Sequence, residues 1–444
     1  MPRYSIRDRT GIIARSMKLV LRLRFSSVAA LALIIGSQSG YCAPAVERRH
    51  SSVLLGIDVL AQIDFRALQQ KRVGLLTHPA GVGRSGVSTI DILRRSPKVK
   101  LVALFGPEHG IYGDEKANVP VAHRTDPKTG LPVYSLYGKF REPTPQMLKG
   151  IDVMAIDLQD LGVRTYTYVS AMKKTIEACF KQGVAVVVLD RPNPMGGLKV
   201  DGPPLEKQWM SYVGAFRTPY VHGLTIGELA NIAVRLPGWL EVEENIRRKG
   251  RLTVIPMKGW ERRMLWTDTG LRWVPTSPAI PDLSAALGYS MTGLGSQLGG
   301  FRHGYGTKFP FRLLTFPGKT ADSVRTALRS KSIPGLDFEI VSVSGPGARR
   351  DRGVYVKVVD WNRFRPTEVS FYMMQLAALW SRDNPFSTAP HSAVTLYNKH
   401  VGSTDWWRAI SAHGANVDVR AFIEKWEQQA TVFQTMSRKY WLYR

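Results

Sequence analysis

The sequence predicts an α/β protein built on a doubly wound parallel sheet, followed by a smaller α+β domain. Three observations carry that expectation. Apolar runs of strand length recur between residues 72 and 190. Helical patterns alternate with them. The run at 184–190 (VAVVVLD) lacks polar alternation, as strands covered on both faces do. Strands that alternate with helices make βαβ units, and hence a parallel sheet.

Taken in order, residues 63–70 read as a helix and Arg72–Thr77 (RVGLLT) as a strand. A short helix follows at Thr89–Arg95, a strand at 100–105 (KLVALF) and another at 131–136. Residues 151–158 (IDVMAIDL) form a strand, 167–182 a helix with apolar positions at helical spacing, and 184–190 a buried strand. Beyond about residue 250 the strands shorten, and Gly and Pro cluster at 275–281 and 293–306. Helices return at Ala321–Arg329, at 369–381 and near the C-terminus, among Trp406, Trp407, Trp426 and Trp441. At 444 residues, two domains are expected, at 46–250 and 251–444.

Residues 1–45 stand apart. Arg15, Lys18, Arg22 and Arg24 precede an apolar stretch at 28–35 and the small residues Ala43-Pro44-Ala45, the order of a cleavable secretory signal. The stretch is too short for a comfortable membrane span. The mature chain is therefore expected to be exported, periplasmic or secreted, with no transmembrane segment. Tyr41 before Cys42 argues against a lipoprotein signal. Cleavage leaves Cys179 alone on a helical pattern, as a buried inert thiol, and no Cys/His cluster has the spacing of a zinc site. The net charge is +26; seven Arg/Lys and one Asp lie in the first 45 residues, which leaves +20. The basic residues are dispersed, with no sustained run or aromatic-interleaved platform, so the charge points to an acidic cell envelope and not to nucleic acid.

Ligands of an open parallel sheet bind beyond the carboxyl ends of its strands. Here those ends carry Thr77-His78-Pro79, then Gly106-Pro107-Glu108-His109-Gly110, then Asp157, Gln159, Asp160 and Arg164, then Asp190-Arg191-Pro192-Asn193-Pro194. Each of these is also explained singly as a turn or cap residue; their convergence on one rim is what marks a site. Glu108, in a Gly-flanked turn at an apolar strand mouth, suits a general acid, because desolvation raises a carboxyl pKa. Asp157 and Asp160 offer the second carboxylate that glycoside hydrolysis usually requires. Arg164 and Arg191 suit bidentate binding of an anionic substrate group, and His78, His109 and His222 can donate to sugar hydroxyls or an acetamido group. Gly81-Val82-Gly83-Arg84-Ser85-Gly86 also spells a dinucleotide fingerprint, with Glu108 downstream. It is displaced from the strand end by His78-Pro79-Ala80, and the chain is expected to leave the cytoplasm.

These residues resemble a known family. The segments Leu75-Leu76-Thr77-His78-Pro79-Ala80-Gly81-Val82, Leu104-Phe105-Gly106-Pro107-Glu108-His109-Gly110 and 157–168 (DLQDLGVRTYTY) carry the likeness. So do 189–197 (LDRPNPMGG), 222–229 (HGLTIGEL) and 275–281 (PTSPAIP). Together they resemble the exo-β-N-acetylmuramidases of the NamZ type, densely between 72 and 281 and weakly after 310. The resemblance implies a Rossmann-like N-terminal domain that binds no nucleotide, a C-terminal domain closing the cleft, and no cofactor. It implies release of N-acetylmuramic acid from the non-reducing end of peptidoglycan fragments, with Glu108 as catalytic carboxyl beside the Asp157–Asp160 segment. His78, His109, Gln159, Arg164, Tyr166, Arg191, Asn193 and His222 are the expected substrate-binding residues.

Two stretches depart from the family pattern. Where an acidic, Asn-containing loop is usual, residues 296–307 (SQLGGFRHGYGT) hold neither carboxylate nor Asn, and Arg312 stands where a Glu is expected. That departure, with the positive charge, motivates a competing expectation of a non-catalytic peptidoglycan-binding envelope protein. A dinucleotide-dependent oxidoreductase ranks below both.

Overall fold

The computed structural model describes residues 53–113, 124–344 and 350–444. The expected export signal at 1–45 lies outside the described residues. In chain order the elements are α1 (Gly56–Gln62), β1 (Arg72–Thr77), α2 (Thr89–Arg95), β2 (Lys100–Gly106), β3 (Arg124–Thr125), β4 (Pro132–Ser135), α3 (Pro145–Leu148), β5 (Val153–Asp157), α4 (Tyr168–Lys181) and β6 (Ala185–Leu189). There follow α5 (Ile226–Arg235), α6 (Glu244–Lys249), β7 (Leu252–Ile255), α7 (Leu283–Thr292), β8 (Leu313–Leu314), α8 (Ala321–Arg329), β9 (Leu336–Ser344), β10 (Arg350–Val358), α9 (Glu368–Trp380), α10 (His391–Val401), α11 (Thr404–His413) and α12 (Val419–Ser437).

Seven strands make one sheet in the order β3-β4-β2-β1-β5-β6-β7. All neighbours are parallel except the β3 edge, which runs antiparallel to β4. With that edge set aside, the order is 3-2-1-4-5-6, the Rossmann arrangement, and the chain reverses direction across the sheet between β1 and β5. The strands lack polar alternation because both faces are covered. Val73 and Leu75 of β1, Val153 and Ala155 of β5, and Val187 and Leu189 of β6 pack with Ile57 and Leu60 of α1 and Ile90 and Leu93 of α2. Leu76, Met154, Ile156, Val186 and Val188 face the other way, onto α4 and α5. A Thr225–Glu228 capping box starts α5: each side chain accepts the other residue's backbone N–H, at 3.2 and 3.1 Å.

The second half adds an antiparallel sheet, β8-β10-β9, packed by α8, which in turn meets α9. Its core is continuous with that on the α4/α5 face of the large sheet. The C-terminal aromatic residues divide their work. Phe371 of α9 packs on Trp406 and Trp426 at 4.9 and 4.3 Å, while Trp441 lies 3.6 Å over the Arg262 guanidinium. The last residues return to the Rossmann-like sheet: Tyr443 Oη donates to Asp190 at 2.5 Å, and the Leu442 amide donates to Glu228 at 2.9 Å.

One expected element is corrected. Residues 63–70 are turns, and the helix is α1, one segment earlier. Asp64, Phe65 and Gln70 adopt left-handed φ of 60°, 55° and 57°, which interrupts any helix there. The start of α1 abuts the end of β6, where the Gly56 amide donates to the Asp190 carbonyl at 2.9 Å and a Cβ on Gly56 would come within 2.4 Å of the Asp190 nitrogen. Only glycine admits that approach. The expected division after residue 250 falls just before β7, which completes the seven-stranded sheet.

Candidate active site

β1 and β5 end in register, Thr77 beside Asp157, so the residues that follow share one rim at the point where the winding reverses. His78 is buried there. Its Nε2 accepts the Gln159 amide at 2.8 Å, which puts the ring proton on Nδ1, and Tyr168 packs edge-on at 4.6 Å. Burial, reinforced by the Arg191 charge, pushes the His78 pKa down to about 3, so the ring is neutral at physiological pH. Gln159 donates its side-chain amide to the Asp160 and Pro192 carbonyls at 2.8 and 2.9 Å. Asn193 accepts the Met195 amide at 3.0 Å and donates to the Leu224 carbonyl at 3.1 Å. These polar groups hold the rim's backbone.

The two expected partner carboxylates differ. Asp157 is fully buried and faces Arg191 bidentately, Nε at 2.5 Å and Nη2 at 3.0 Å, while Thr89 Oγ1 also donates to it. Arg191 further donates to the Val82 carbonyl at 2.5 Å. Asp157 and Arg191 thus neutralise each other in the floor, and neither has the freedom its expected role requires. Asp160 Oδ2 accepts the Gly162 amide at 2.8 Å and lies 3.3 Å from His222 Nε2, while Oδ1 has no hydrogen-bond partner among the described residues. His222 Nδ1 accepts the Leu224 amide at 3.2 Å, so the Nε2 proton faces Asp160.

Arg164, expected at the rim as a carboxylate fork, is corrected. Its guanidinium is 1% exposed and donates to four backbone carbonyls, those of Pro203, Thr218, His400 and Val401, at 2.7–3.0 Å. It staples the C-terminal helices to the loops of the first half and does not face a ligand. Burial pulls its pKa down to about 10, which leaves it cationic at neutral pH. Arg164→Lys is expected to lower the melting temperature, because one ammonium cannot satisfy four buried carbonyls and each lost bond costs roughly 1–3 kcal/mol. Steady-state kinetics should show no change in substrate preference.

Glu108 sits half-buried in the turn after β2, where His109 and Gly110 both take left-handed φ of 71°. Thr167 Oγ1, just before α4, donates to Glu108 Oε2 at 3.0 Å, and the Tyr137 hydroxyl is hydrogen-bonded to the same carboxylate. The charge of Glu108 also acts on Tyr168, Tyr212 and Tyr289, helping to hold their pKa values up after burial, the larger cause. Tyr289, on α7, feels Asp160 as well. These tyrosines form a wall: Tyr166 packs on Tyr168 at 4.8 Å and on Tyr289 at 6.0 Å, and Tyr166 Oη donates to Thr276 Oγ1 at 2.7 Å. The Arg141 guanidinium lies over the Tyr137 and Tyr212 rings at 4.0 and 4.5 Å. Sequence reasoning missed Tyr137, Arg141, Thr167, Tyr212, Thr276 and Tyr289. They come from separate loops and helices, and nothing local distinguishes them from other tyrosines, threonines and arginines.

The amides of the Gly81–Gly86 loop that would bind a pyrophosphate are engaged within the protein. The Asp58 carboxylate of α1 occupies the place of the anion, accepting the Arg84 amide at 3.0 Å and the Leu55 amide at 2.9 Å. The amides of Gly81, Val82, Gly83 and Gly86 already donate to carbonyls within the turn. A Cβ on Gly83 would come 2.7 Å from Asp58, so glycine serves the approach of that carboxylate. The dinucleotide reading is therefore withdrawn. In the departing loop, Arg312 turns inward: it donates to the Val356 carbonyl at 2.7 Å and lies 4.6 Å over Tyr355. His303 stacks on Phe311 at 4.3 Å, and Phe311 stands behind Tyr289 at 5.1 Å. The altered loop thus backs the aromatic wall and brings no carboxylate to it.

Residues 73–284 match the family described as exo-beta-N-acetylmuramidase NamZ, N-terminal, and residues 287–443 match its C-terminal counterpart. The chain is 36% identical over 398 residues to the peptidoglycan beta-N-acetylmuramidase NamZ of Bacillus subtilis, covering 88% of this chain and 91% of the relative. Two crystal structures of DUF1343 family proteins from Bacteroides fragilis are similar. One has a TM-score of 0.79 at 38% identity, covering 89% of this chain and all of that one. The other has a TM-score of 0.65 at 25% identity, with 89% and 99% covered.

Proposed function

Because the chain belongs to the NamZ exo-β-N-acetylmuramidase family, a family of glycosidases, we propose that it hydrolyses peptidoglycan fragments from the non-reducing end, releasing N-acetylmuramic acid, with Glu108 as general acid. The observation that carries the reading is Glu108 itself. It is a half-buried carboxyl in the turn after β2, held by Thr167 and Tyr137 beside the cluster of Tyr166, Tyr168 and Tyr289.

In this reading Glu108 protonates the leaving glycosidic oxygen as the bond to the anomeric carbon breaks, and a water molecule supplies the hydroxyl that ends on that carbon and the proton that restores Glu108. Thr167 and Tyr137 fix its rotamer, so the proton is delivered from one direction. Asp160 is the second carboxyl. Unlike Asp157 it has no guanidinium partner among the described residues, and the tyrosine that feels its charge also feels that of Glu108. His222 lies 3.3 Å from Asp160 and orients it, and His78, Gln159 and Asn193 position the rim beneath the substrate. The second half of the chain closes the cleft through Thr276 and Tyr289. Residues 1–45 direct export, so the enzyme meets wall fragments outside the cytoplasm.

The test is the purified chain from residue 46 on a chromogenic N-acetylmuramide and on a disaccharide with muramic acid at its non-reducing end. Release of the free sugar from both is expected. Release from neither, while the Bacillus subtilis relative works in parallel, overturns the proposal; retention on peptidoglycan without release then favours a wall-binding protein.

A further inference from the structure

N-acetylmuramic acid differs from N-acetylglucosamine by one lactyl ether, so a site that prefers the first must read that carboxylate, about one sugar ring from the bond being cut. A guanidinium does this best, through two parallel N–H donors. Arg164 and Arg191 are excluded by their partners, four carbonyls and Asp157 respectively. Arg262 pairs with Glu228 at 2.7 Å, and Arg312 points into the second sheet.

Arg141 differs from all four. It is exposed, yet it is held in place, because the Tyr137 and Tyr212 rings support its guanidinium at 4.0 and 4.5 Å. The two rings, together with hydrogen bonds to the Tyr137 and Tyr212 side chains, hold the guanidinium in place, and a group with five N–H donors keeps others for an anion. Tyr137 joins the two halves of the site: its ring carries Arg141, and its hydroxyl bonds Glu108. A sugar whose glycosidic oxygen meets Glu108 therefore has Arg141 within one tyrosine's breadth.

We propose that Arg141 binds the lactyl carboxylate of the muramic acid ring beside Glu108 and sets the preference for muramides over glucosaminides. The proposal rests on the hydrolase reading above. The test compares wild type, Arg141→Lys and Arg141→Met on a chromogenic N-acetylmuramide and on its lactyl methyl ester, which keeps the shape and removes the charge. Wild type should favour the acid over the ester. Arg141→Met should raise KM for the acid roughly tenfold to a hundredfold, the worth of a charge-assisted pair, with a much smaller fall in kcat, and should no longer distinguish acid from ester. Arg141→Lys should recover part of the discrimination, because it restores charge without the fork. Melting should be unchanged, as for other exposed side chains. If Arg141→Met discriminates acid from ester as wild type does, or weakens both equally, the proposal falls. Should wild type hydrolyse neither, the hydrolase reading fails separately. Calorimetric binding of free N-acetylmuramic acid and N-acetylglucosamine to the same variants then decides on Arg141: equal affinities in wild type overturn the proposal, and a muramic acid preference lost in Arg141→Met sustains it.

Discussion

Glu108→Gln is expected to lower kcat at least about a hundredfold on a chromogenic N-acetylmuramide while KM stays within a few-fold, because general acid catalysis is typically worth 10²–10⁴. The substitution keeps the shape of the side chain. The amide oxygen can still accept from Thr167 Oγ1, so the turn after β2 should keep its conformation. An unchanged melting temperature would confirm that the loss is chemical. A substrate with a good leaving group should recover much of the rate, since it needs less protonation at the departing oxygen. If Glu108→Gln retains near-full kcat on a poor leaving group, Glu108 is not the acid, and Asp160 becomes the residue to test.

Arg191→Met should produce the largest loss of stability, about 3–5 kcal/mol, the usual consequence of removing one partner of a buried ion pair. Arg191 and Asp157 are 3% and 0% exposed, so the surviving carboxylate would keep only its bond from Thr89 in place of a bidentate counter-ion. Urea denaturation followed by circular dichroism measures the effect. The double variant Asp157→Asn/Arg191→Met should regain part of the loss, because it leaves no unpaired charge in the floor. A single variant as stable as wild type would show that Arg191 is available to a ligand, as its position in the sequence first suggested.

The contrast between these two residues shows how far the sequence could be read. The strands and helices from 72 to 190 were legible almost residue by residue, since each is specified by a local apolar pattern and flanking turn residues. The position of Glu108, in a Gly-flanked turn at the end of β2, was legible for the same reason. The reading of 63–70 failed because its apolar spacing fits a helix that the backbone at Asp64, Phe65 and Gln70 does not adopt. The shorter β7, and the β9–β10 pair of the second sheet, were not legible because each gains its strand character from partners far away in the chain.

Side-chain pairing was beyond local reading altogether. By sequence, Arg164 was the preferred fork with Arg191 second, and Asp157 and Asp160 were both candidate carboxyls. Arg191 lies 34 residues from Asp157, and Arg164 reaches carbonyls as far as 237 residues away, so only the packed sheet and the returning C-terminal helices settle which charges meet. The same holds for the Gly-rich loop, whose amides suit a phosphate until α1 brings Asp58 to Arg84, 26 residues on. The sequence by itself determined the α/β class, the parallel winding and the rim on which chemistry-bearing residues gather, because strand apolarity and turn chemistry act over a few residues. The tertiary structure decided which of those residues remain exposed to a substrate and which are consumed as internal counter-ions, because a buried charge or donor must find its partner wherever the fold places one.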